Sequence, residues 1–237
     1  MKHIIPRTGY YINMNDYPER NVSFMDEAKK ADFFDQIIRF SAVDGREDVE
    51  ELMKKFKTFW QDRNEGTSKG QLGCALSHLC LLKKCIDENM DEIFILEDDC
   101  IFTKGFKEKS HVVERNTKIM NKYDIILLGN QHSLPRLMIS NLIIKLRHDL
   151  FVTRVPSFCT HAMIVTNEGC RKILKYIEKH GLWVYDIILI EMMKAGKLNA
   201  ISVLQPNQGD SEHPVYNERS SGLVYQRKDL RLCIHLE

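Results

Sequence analysis

Long apolar runs and an excess of charge of one sign are both missing from this sequence. No stretch approaches the ~20 consecutive apolar residues that cross a bilayer, and residues 1–7 lack the apolar segment of a signal peptide. The 34 Lys and Arg residues balance 33 Asp and Glu residues, giving a net charge of +1. This balance gives no electrostatic reason to expect a nucleic-acid partner. We expect no transmembrane segment and a cytoplasmic location, which is the host cytoplasm if the protein is viral.

Closely spaced cysteines are absent as well. The seven cysteines are odd in number and include no Cys-x-x-Cys pair, so a disulfide scaffold is not expected in a chain of this length. We expect seven reduced thiols, most of them buried, in a reducing compartment. Internal repeats are also missing, and 237 residues with 43% hydrophobic content suit a single domain over residues 1–237.

Segments with strand character alternate with segments of helical periodicity. We predict strands at about 10–13, 36–43, 93–96, 124–129, 162–166 and 199–204, and helices at about 16–30, 71–88, 108–122, 167–179 and 184–194. Asn167 is the candidate N-cap of the fourth helix. The alternation predicts an α/β fold with a mixed, mainly parallel sheet flanked by helices. Such folds bind ligands at the carboxyl ends of their strands, here residues 13–20, 44–45, 97–99 and 129–131.

The acidic run Glu97-Asp98-Asp99 directly follows the apolar strand 93–96. Three adjacent carboxylates at the end of a buried strand repel one another and are costly to desolvate. A divalent cation relieves that repulsion, and oxygen ligands suit Mg²⁺ or Mn²⁺. The same cation could hold a diphosphate. A solvated loop or a helix N-cap is the alternative interpretation of this run.

Three further features are candidates for function. In segment 70–78, Gly-Gln-Leu-Gly-Cys-Ala-Leu-Ser-His, glycines at a helix start allow a ligand or another backbone to approach, and free N–H groups there attract phosphate. Ser77 and His78 lie deeper in that helix and face either the site or a neighbouring strand. Asp186 is an acid in an apolar helix start, where it caps the helix or acts chemically. His213 lies in a polar segment whose default interpretation is a surface loop.

Taken in order, these segments resemble glycosyltransferase family 25, the family of lipooligosaccharide and procollagen galactosyltransferases. The matching segments are 12–14 (Ile-Asn-Met) with 19–20 (Glu-Arg), 41–45 (Ser-Ala-Val-Asp-Gly), 70–78, and 95–99 (Ile-Leu-Glu-Asp-Asp). Met14 stands where the family usually has leucine. Residues 46–69 and 130–158 carry little of the resemblance.

The resemblance implies a GT-A type, Rossmann-like fold and an inverting transfer of a hexose from UDP-galactose or UDP-glucose with Mn²⁺ or Mg²⁺. The nucleotide-sugar half would span about residues 1–130 and the acceptor half about 131–237. Asp99 is implied as a metal ligand, with Asp98 and Glu97 as further candidates, and His213 is a late metal ligand suggested by GT-A enzymes generally. Asp186 is the implied catalytic base. The donor pocket would be lined by Asn13, Arg20, Asp44, Gly45, Gly73, Ser77, His78, Glu97 and Asp98, with Arg20 facing the diphosphate.

The acceptor, the donor sugar and the oligomeric state do not follow from the resemblance. A glycan, a lipooligosaccharide and hydroxylysine on a collagen-like protein all remain open as acceptors. Two other functions are kept as alternatives. One is a non-catalytic module that binds a nucleotide sugar or a glycan. The other is a metal-dependent phosphohydrolase built on the acidic run.

Overall fold

The computed structural model describes residues 5–47, 51, 67–116, 123–131, 143–145, 151–154, 158–204, 220–222 and 224–226. These ranges contain the helices α1 (Pro18–Ala31), α2 (Lys69–Asp87), α3 (Phe106–Arg115), α4 (Asn167–His180) and α5 (Tyr185–Lys194). Their strands are β1 (Thr8–Asn13), β2 (Gln36–Ser41), β3 (Glu92–Glu97), β4 (Cys100–Phe102), β5 (Ile125–Gln131), β6 (Ile143–Lys145), β7 (Phe151–Thr153), β8 (Phe158–Thr166), β9 (Ala200–Leu204), β10 (Ser220–Gly222) and β11 (Val224–Gln226). None of these helices is long and apolar enough to cross a membrane.

Nine of the described strands form one mixed sheet. Its order is β2-β1-β3-β8-β5-β9-β7-β6, with β10 paired to β5, and β11 and β4 form a separate small sheet. The pairs β1–β2, β1–β3 and β5–β9 are parallel, and the remaining pairs are antiparallel. Consequently β8, β7 and β10 run against the direction shared by the other strands. The predicted α/β fold, with a mixed, mainly parallel sheet flanked by helices, is confirmed.

A strand at 162–166 was predicted, but the sequence did not indicate the position and direction of this strand, β8, in the sheet. It lies between β3 and β5 and runs antiparallel to both, with Val165 opposite Ile93 in one pair and Ile125 in the other. Its sequence, Phe-Cys-Thr-His-Ala-Met-Ile-Val-Thr, is apolar enough for the centre of a sheet but carries no signal for its direction. Because β8 comes from the second predicted half, segments from both halves build the same sheet.

Each face of the sheet is covered by helices. In β3, Ile93 and Ile95 belong to the hydrophobic cluster that includes α2, α4 and α5, whereas Phe94 and Leu96 belong to the cluster that includes α1 and α3. This alternation follows from the two-residue period of a strand, and it explains why β3 is a continuous apolar run. The five cysteines whose side chains the structure describes are reduced thiols, and three of them, Cys85, Cys100 and Cys170, are buried.

The helix termini are fixed by local side chains. Ser68 and Gln71 form a capping box at the start of α2, in which the Ser68 hydroxyl accepts from the Gln71 N–H and the Gln71 side chain accepts from the Ser68 N–H. The prediction that Asn167 caps α4 was wrong, because Thr166 is the N-cap and accepts from the Gly169 N–H. The Asn167 amide instead donates to the Cys85 and Met90 carbonyls and ties α4 to the end of α2.

The carboxyl ends of three parallel strands meet at one edge of the sheet. Asn13 at the end of β1 lies opposite Ser41 of β2, and Ile12 lies opposite Glu97 of β3. The chain segments that follow these strands therefore start side by side. They contain the N-terminus of α1, the Asp44-Gly45 turn and the acidic run, and the first turns of α2 pack against them.

Candidate functional site

A cavity of about 110 Å³ opens at this edge of the sheet, between the ends of β1 to β3 and the start of α2. It unites segments that are far apart in the sequence. Eight residues singled out by the sequence line it, namely Arg20, Asp44, Gly45, Gly73, Ser77, His78, Glu97 and Asp98. The other lining residues are Ile12, Met14, Tyr17, Ala42, Val43, Arg46, Gly70 and Cys74.

Asp98 and Arg20 form a buried ion pair on the cavity wall. The Arg20 guanidinium pairs with Asp98 through Nη2, and the same nitrogen lies 3.9 Å from Oδ2 of Asp99. The second oxygen of Asp98 accepts a 2.7 Å hydrogen bond from Nδ2 of Asn13. Burial raises the pKa of Asp98 to about 6, with a smaller contribution from Asp99, while Arg20 and Asn13 oppose the rise. Asp98 is thus a buried carboxylate whose charged form burial disfavours and Arg20 and Asn13 stabilise.

Arg39 of β2 orients the Asn13 amide. Its Nε donates to Oδ1 of Asn13 at 2.8 Å, and its Nη2 donates to Oδ1 of Asn15 at 2.8 Å. With its oxygen engaged in this way, the Asn13 amide directs its amino group to Asp98. Arg39 was not among the residues singled out by the sequence, although a charged residue inside the strand pattern Gln-Ile-Ile-Arg-Phe-Ser was a visible signal.

The Asp44-Gly45 turn packs directly on the backbone of α2. The Ser77 hydroxyl accepts from the Val43 N–H at 2.9 Å and donates to the Gly73 carbonyl at 2.7 Å. A Cβ on Gly73 would lie 2.6 Å from the Val43 carbonyl oxygen, and one on Gly45 would lie 1.7 Å from the Lys69 carbonyl oxygen. Of the two interpretations of these glycines, close approach of another backbone is the one observed, and the Ser77 hydroxyl is used to hold that approach.

Replacing Gly45 with alanine is expected to lower the free energy of unfolding by about 1–3 kcal/mol, because the methyl group must displace the turn from α2. Chemical denaturation measures this loss. Gly196→Ala is the control: its backbone has a left-handed φ of 64° but a Cβ there meets nothing within 4 Å, so only about 1 kcal/mol of backbone strain is expected. A Gly45→Ala loss no larger than the Gly196→Ala loss would contradict the packing argument.

Arg46 and two acids form an exposed cluster at the cavity. Nε of Arg46 donates to both oxygens of Asp44, at 2.9 and 3.0 Å, and Nη2 donates to Asp16 at 2.5 Å. Hydrogen bonding from Arg46 holds the pKa of Asp44 below its ordinary value. Arg46 was not among the residues singled out by the sequence, and its position one residue after the Asp-Gly turn is the signal that could have identified it.

His78 and Glu97 lie at the inner end of the cavity. Nδ1 of His78 lies 3.0 Å from the Cys74 carbonyl oxygen and Nε2 lies 3.6 Å from Oε1 of Glu97. The imidazole stacks on the ring of Tyr185 at 4.7 Å. Complete burial lowers the pKa of His78 to about 4, so the ring is neutral near pH 7. Oε1 of Glu97 also accepts from the Thr160 hydroxyl at 3.1 Å.

The remaining predicted residues lie outside the lining of this cavity. Asn13 contacts it indirectly through Asp98, and Asp99 is 3% exposed behind the same ion pair. Asp186 is in the first turn of α5, next to the Tyr185 ring that stacks on His78. His213 lies outside the described residues. The metal and base roles of these residues stay predictions.

A crevice at the carboxyl edge of an α/β sheet is the place where such folds usually bind small-molecule ligands. The fold and the site therefore define an α/β domain with a candidate ligand crevice between an acidic wall and a backbone-lined wall. The family model for glycosyltransferase family 25 (LPS biosynthesis protein) matches residues 7–189, and the chain belongs to this family.

Several curated proteins are similar to the chain at low identity. A glycosyltransferase 25 family member from Aedes aegypti is 24% identical over 190 residues, which cover 74% of this chain and 30% of that protein. Procollagen galactosyltransferase 2 of Mus musculus is 26% identical over 45% of this chain and 17% of its own length. The mouse inactive glycosyltransferase 25 family member 3 is 23% identical over 76% of this chain and 31% of its own length. The chain thus spans less than a third of each of these relatives.

Proposed function

We propose that this chain is a glycosyltransferase that moves a hexose from a UDP-sugar to a hydroxyl group of an acceptor. The observation that carries the proposal is the cavity itself, which brings the acidic run, Arg20, the Asp44-Gly45 turn and the start of α2 together. A nucleotide diphosphate donor needs cationic groups near its phosphates and, for its nucleoside, a largely apolar pocket with a few polar groups. Arg20 and Arg46 supply the cationic groups in this cavity.

Asp98 and Asp99 are the residues proposed to hold a divalent cation. Carboxylate oxygens are the ligands that Mn²⁺ and Mg²⁺ prefer, and a cation would relieve the desolvation that raises the pKa of Asp98. The donor set therefore fits the ion. A bound cation would supply charge stabilisation to the departing diphosphate. Arg20, already paired with Asp98, is placed to share its charge between the carboxylates and a phosphate.

The acceptor side of the proposed reaction requires a base. Family resemblance implies an inverting displacement, which needs a base near the acceptor hydroxyl. Asp186 is the proposed base, and it follows Tyr185, whose ring stacks on the His78 imidazole of the cavity lining. Galactose is the proposed donor sugar on the strength of the procollagen galactosyltransferase relative, with glucose as the alternative. Hydroxylysine of a collagen-like protein and a glycan are the proposed acceptors.

A donor-hydrolysis assay tests the proposed function. The purified chain is incubated with UDP-galactose or UDP-glucose and with Mn²⁺, Mg²⁺ or chelator, and released UDP is measured. The expected result is UDP release that depends on the divalent cation and differs between the two sugars. Absence of UDP release with every sugar and every cation would overturn the proposal, and activity on simple phosphate esters would favour the phosphohydrolase.

A non-catalytic binding module is the second candidate, because one relative is named as an inactive member of the family. Isothermal titration of UDP distinguishes the two candidates when it is combined with the assay. UDP binding without release of UDP from any donor, across glycan and hydroxylysine acceptors, is the result expected of a binding module.

A further inference from the structure

The inner end of the cavity carries a second set of ligating atoms, separate from the Asp98–Arg20 pair. Cys74, His78 and Glu97 each offer one ligand atom, and these atoms lie within 4.8 Å of one another. All three residues line the cavity. Two of them, Cys74 and His78, are four residues apart on α2 and so lie on the same face of the helix, while Glu97 approaches from the end of β3.

His78 is oriented as a metal-binding histidine would be. Its Nδ1 lies 3.0 Å from the Cys74 carbonyl oxygen, and donation of the Nδ1 proton to that carbonyl leaves a lone pair on Nε2. Nε2 is fully buried and makes no hydrogen bond, and it lies 3.6 Å from Glu97. The Thr160 backbone is a further polar neighbour of the His78 ring, without a hydrogen bond to Nε2. A buried nitrogen in this state has unmet capacity for a ligand.

The supporting contacts around the set are those of a metal site. A ligating histidine usually donates its other ring N–H to a carbonyl or a carboxylate, and a ligating carboxylate is usually hydrogen-bonded in turn. Here the Cys74 carbonyl takes the first role and the Thr160 hydroxyl, 3.1 Å from Oε1 of Glu97, takes the second. A tetrahedral zinc ion requires ligand atoms about 3.4–3.6 Å apart. Sγ of Cys74 lies 3.8 Å from Nδ1 of His78, so closing the set onto an ion at Nε2 takes a rotation of the Cys74 side chain, together with a shift of Glu97 toward the ion.

We propose that Cys74, His78 and Glu97 form a binding site for a thiophilic divalent cation of the Zn²⁺ class, with its fourth position open to the cavity. Thiolate and imidazole ligands favour Zn²⁺ and Co²⁺ over Mn²⁺ or Mg²⁺, so this site is distinct from the carboxylate site proposed for the hard cation. The inference concerns binding by residues of this chain and does not depend on the transfer reaction.

Cobalt titration of the full chain tests the site directly. The protein is freed of metal with chelator and titrated with Co²⁺, and the absorption of a thiolate-to-cobalt charge-transfer band reports sulfur ligation. One equivalent of Co²⁺ is expected to produce the band, and Zn²⁺ is expected to abolish it, whereas Mn²⁺ leaves it unchanged. No band in the wild-type protein, or displacement by Mn²⁺ as effective as displacement by Zn²⁺, would overturn the proposal.

Two variants and a matched control assign the band to this site. Cys74→Ser is expected to remove the band, and Glu97→Gln to weaken Co²⁺ binding at least tenfold. Cys80→Ser alters a half-buried cysteine on the same helix and is expected to leave the band intact. Thermal unfolding with and without Zn²⁺ provides a second readout, since a cation that binds only the folded state raises the melting temperature. A band or a Zn²⁺-induced stabilisation that survives in Cys74→Ser would refute the assignment.

Discussion

Replacing Arg20 with alanine is expected to lower the free energy of unfolding of the metal-free protein by about 3–5 kcal/mol near neutral pH. Both partners of the Arg20–Asp98 pair are about nine-tenths buried. Loss of the guanidinium leaves the Asp98 carboxylate buried beside Asp99 without its main counter-charge. Chemical denaturation of wild type and variant in the same buffer measures the loss.

The size of this loss is expected to depend on pH. The pKa of Asp98 in the folded protein is about 6, above its ordinary value of 3.8. Ionisation of Asp98 therefore lowers the free energy of unfolding as pH rises through the window from about 4 to 6. Arg20 opposes this rise, and the pKa of Asp98 is therefore expected to be higher in the variant. The difference between variant and wild type should shrink as pH falls from about 7.5 to 5.5, because a protonated Asp98 no longer needs a counter-charge.

The pH dependence is measured as the difference in the free energy of unfolding between the Arg20→Ala variant and wild type. This difference is needed because two buried histidines change stability with pH in the opposite sense. His78 and His161 have pKa values lowered by burial to about 4, from 6.5. They take up protons on unfolding between about pH 6.5 and 4, which destabilises every variant as pH falls. This contribution cancels in the difference, whereas the Asp98 contribution remains.

A second substitution separates charge from packing. In Arg20→Ala combined with Asp98→Asn, the uncompensated charge is gone, so much of the lost stability is expected to return. Arg46→Ala is the matched control, since Arg46 pairs with Asp16 and Asp44 at the surface and is expected to leave the unfolding midpoint close to wild type. An Arg20→Ala loss that the double variant does not reduce would contradict the ion-pair argument.

The sequence predicted which residues meet at the sheet edge more completely than it predicted the order and direction of the strands. Alternation of apolar runs and helical periodicity located β1, β2, β3 and α2, and the rule for strand ends then placed Asp44, Asp98 and Arg20 at one edge. These are local signals combined with one topological rule. The sequence does not indicate the direction of β8, because a buried strand is equally apolar in either direction. Its pairing also depends on residues about 27 to 74 positions away.

Partners of the predicted residues were harder to foresee than the residues themselves. Arg39 reaches Asn13 across two neighbouring strands, and the Thr160 hydroxyl reaches Glu97 across the β3–β8 pair. Such contacts depend on strand register, which a single sequence specifies only through its apolar pattern. Cys74 was visible within segment 70–78, but a cysteine in an apolar helix is typical of core packing. Its ligating neighbours emerge only when α2 and β3 are brought together.

Replacing Asp99 with asparagine is expected to weaken Mn²⁺-dependent binding of UDP roughly 100-fold or more while the protein stays folded. The amide keeps the size of the buried side chain but removes one of the two carboxylates proposed to hold the cation. Asp99 contributes to the raised pKa of Asp98, so its neutralisation relieves repulsion within the run and no loss of stability is expected. Isothermal titration of UDP at saturating Mn²⁺, repeated in chelator, isolates the metal-dependent part of the affinity.

Asp91→Asn, at the other end of β3, is the control for Asp99→Asn. Asp91 is exposed and precedes the strand at the edge of the sheet away from the cavity, so Asp91→Asn changes the net charge equally and is expected to bind UDP as wild type does. Asp98→Asn shows whether one or both acids hold the cation, because Asp98 lines the cavity whereas Asp99 is buried and outside the lining. Loss of metal-dependent binding in both variants supports joint ligation. Unchanged UDP affinity of Asp99→Asn in Mn²⁺, with loss in Asp98→Asn, would assign the cation to Asp98 and leave Asp99 a purely electrostatic neighbour of Arg20.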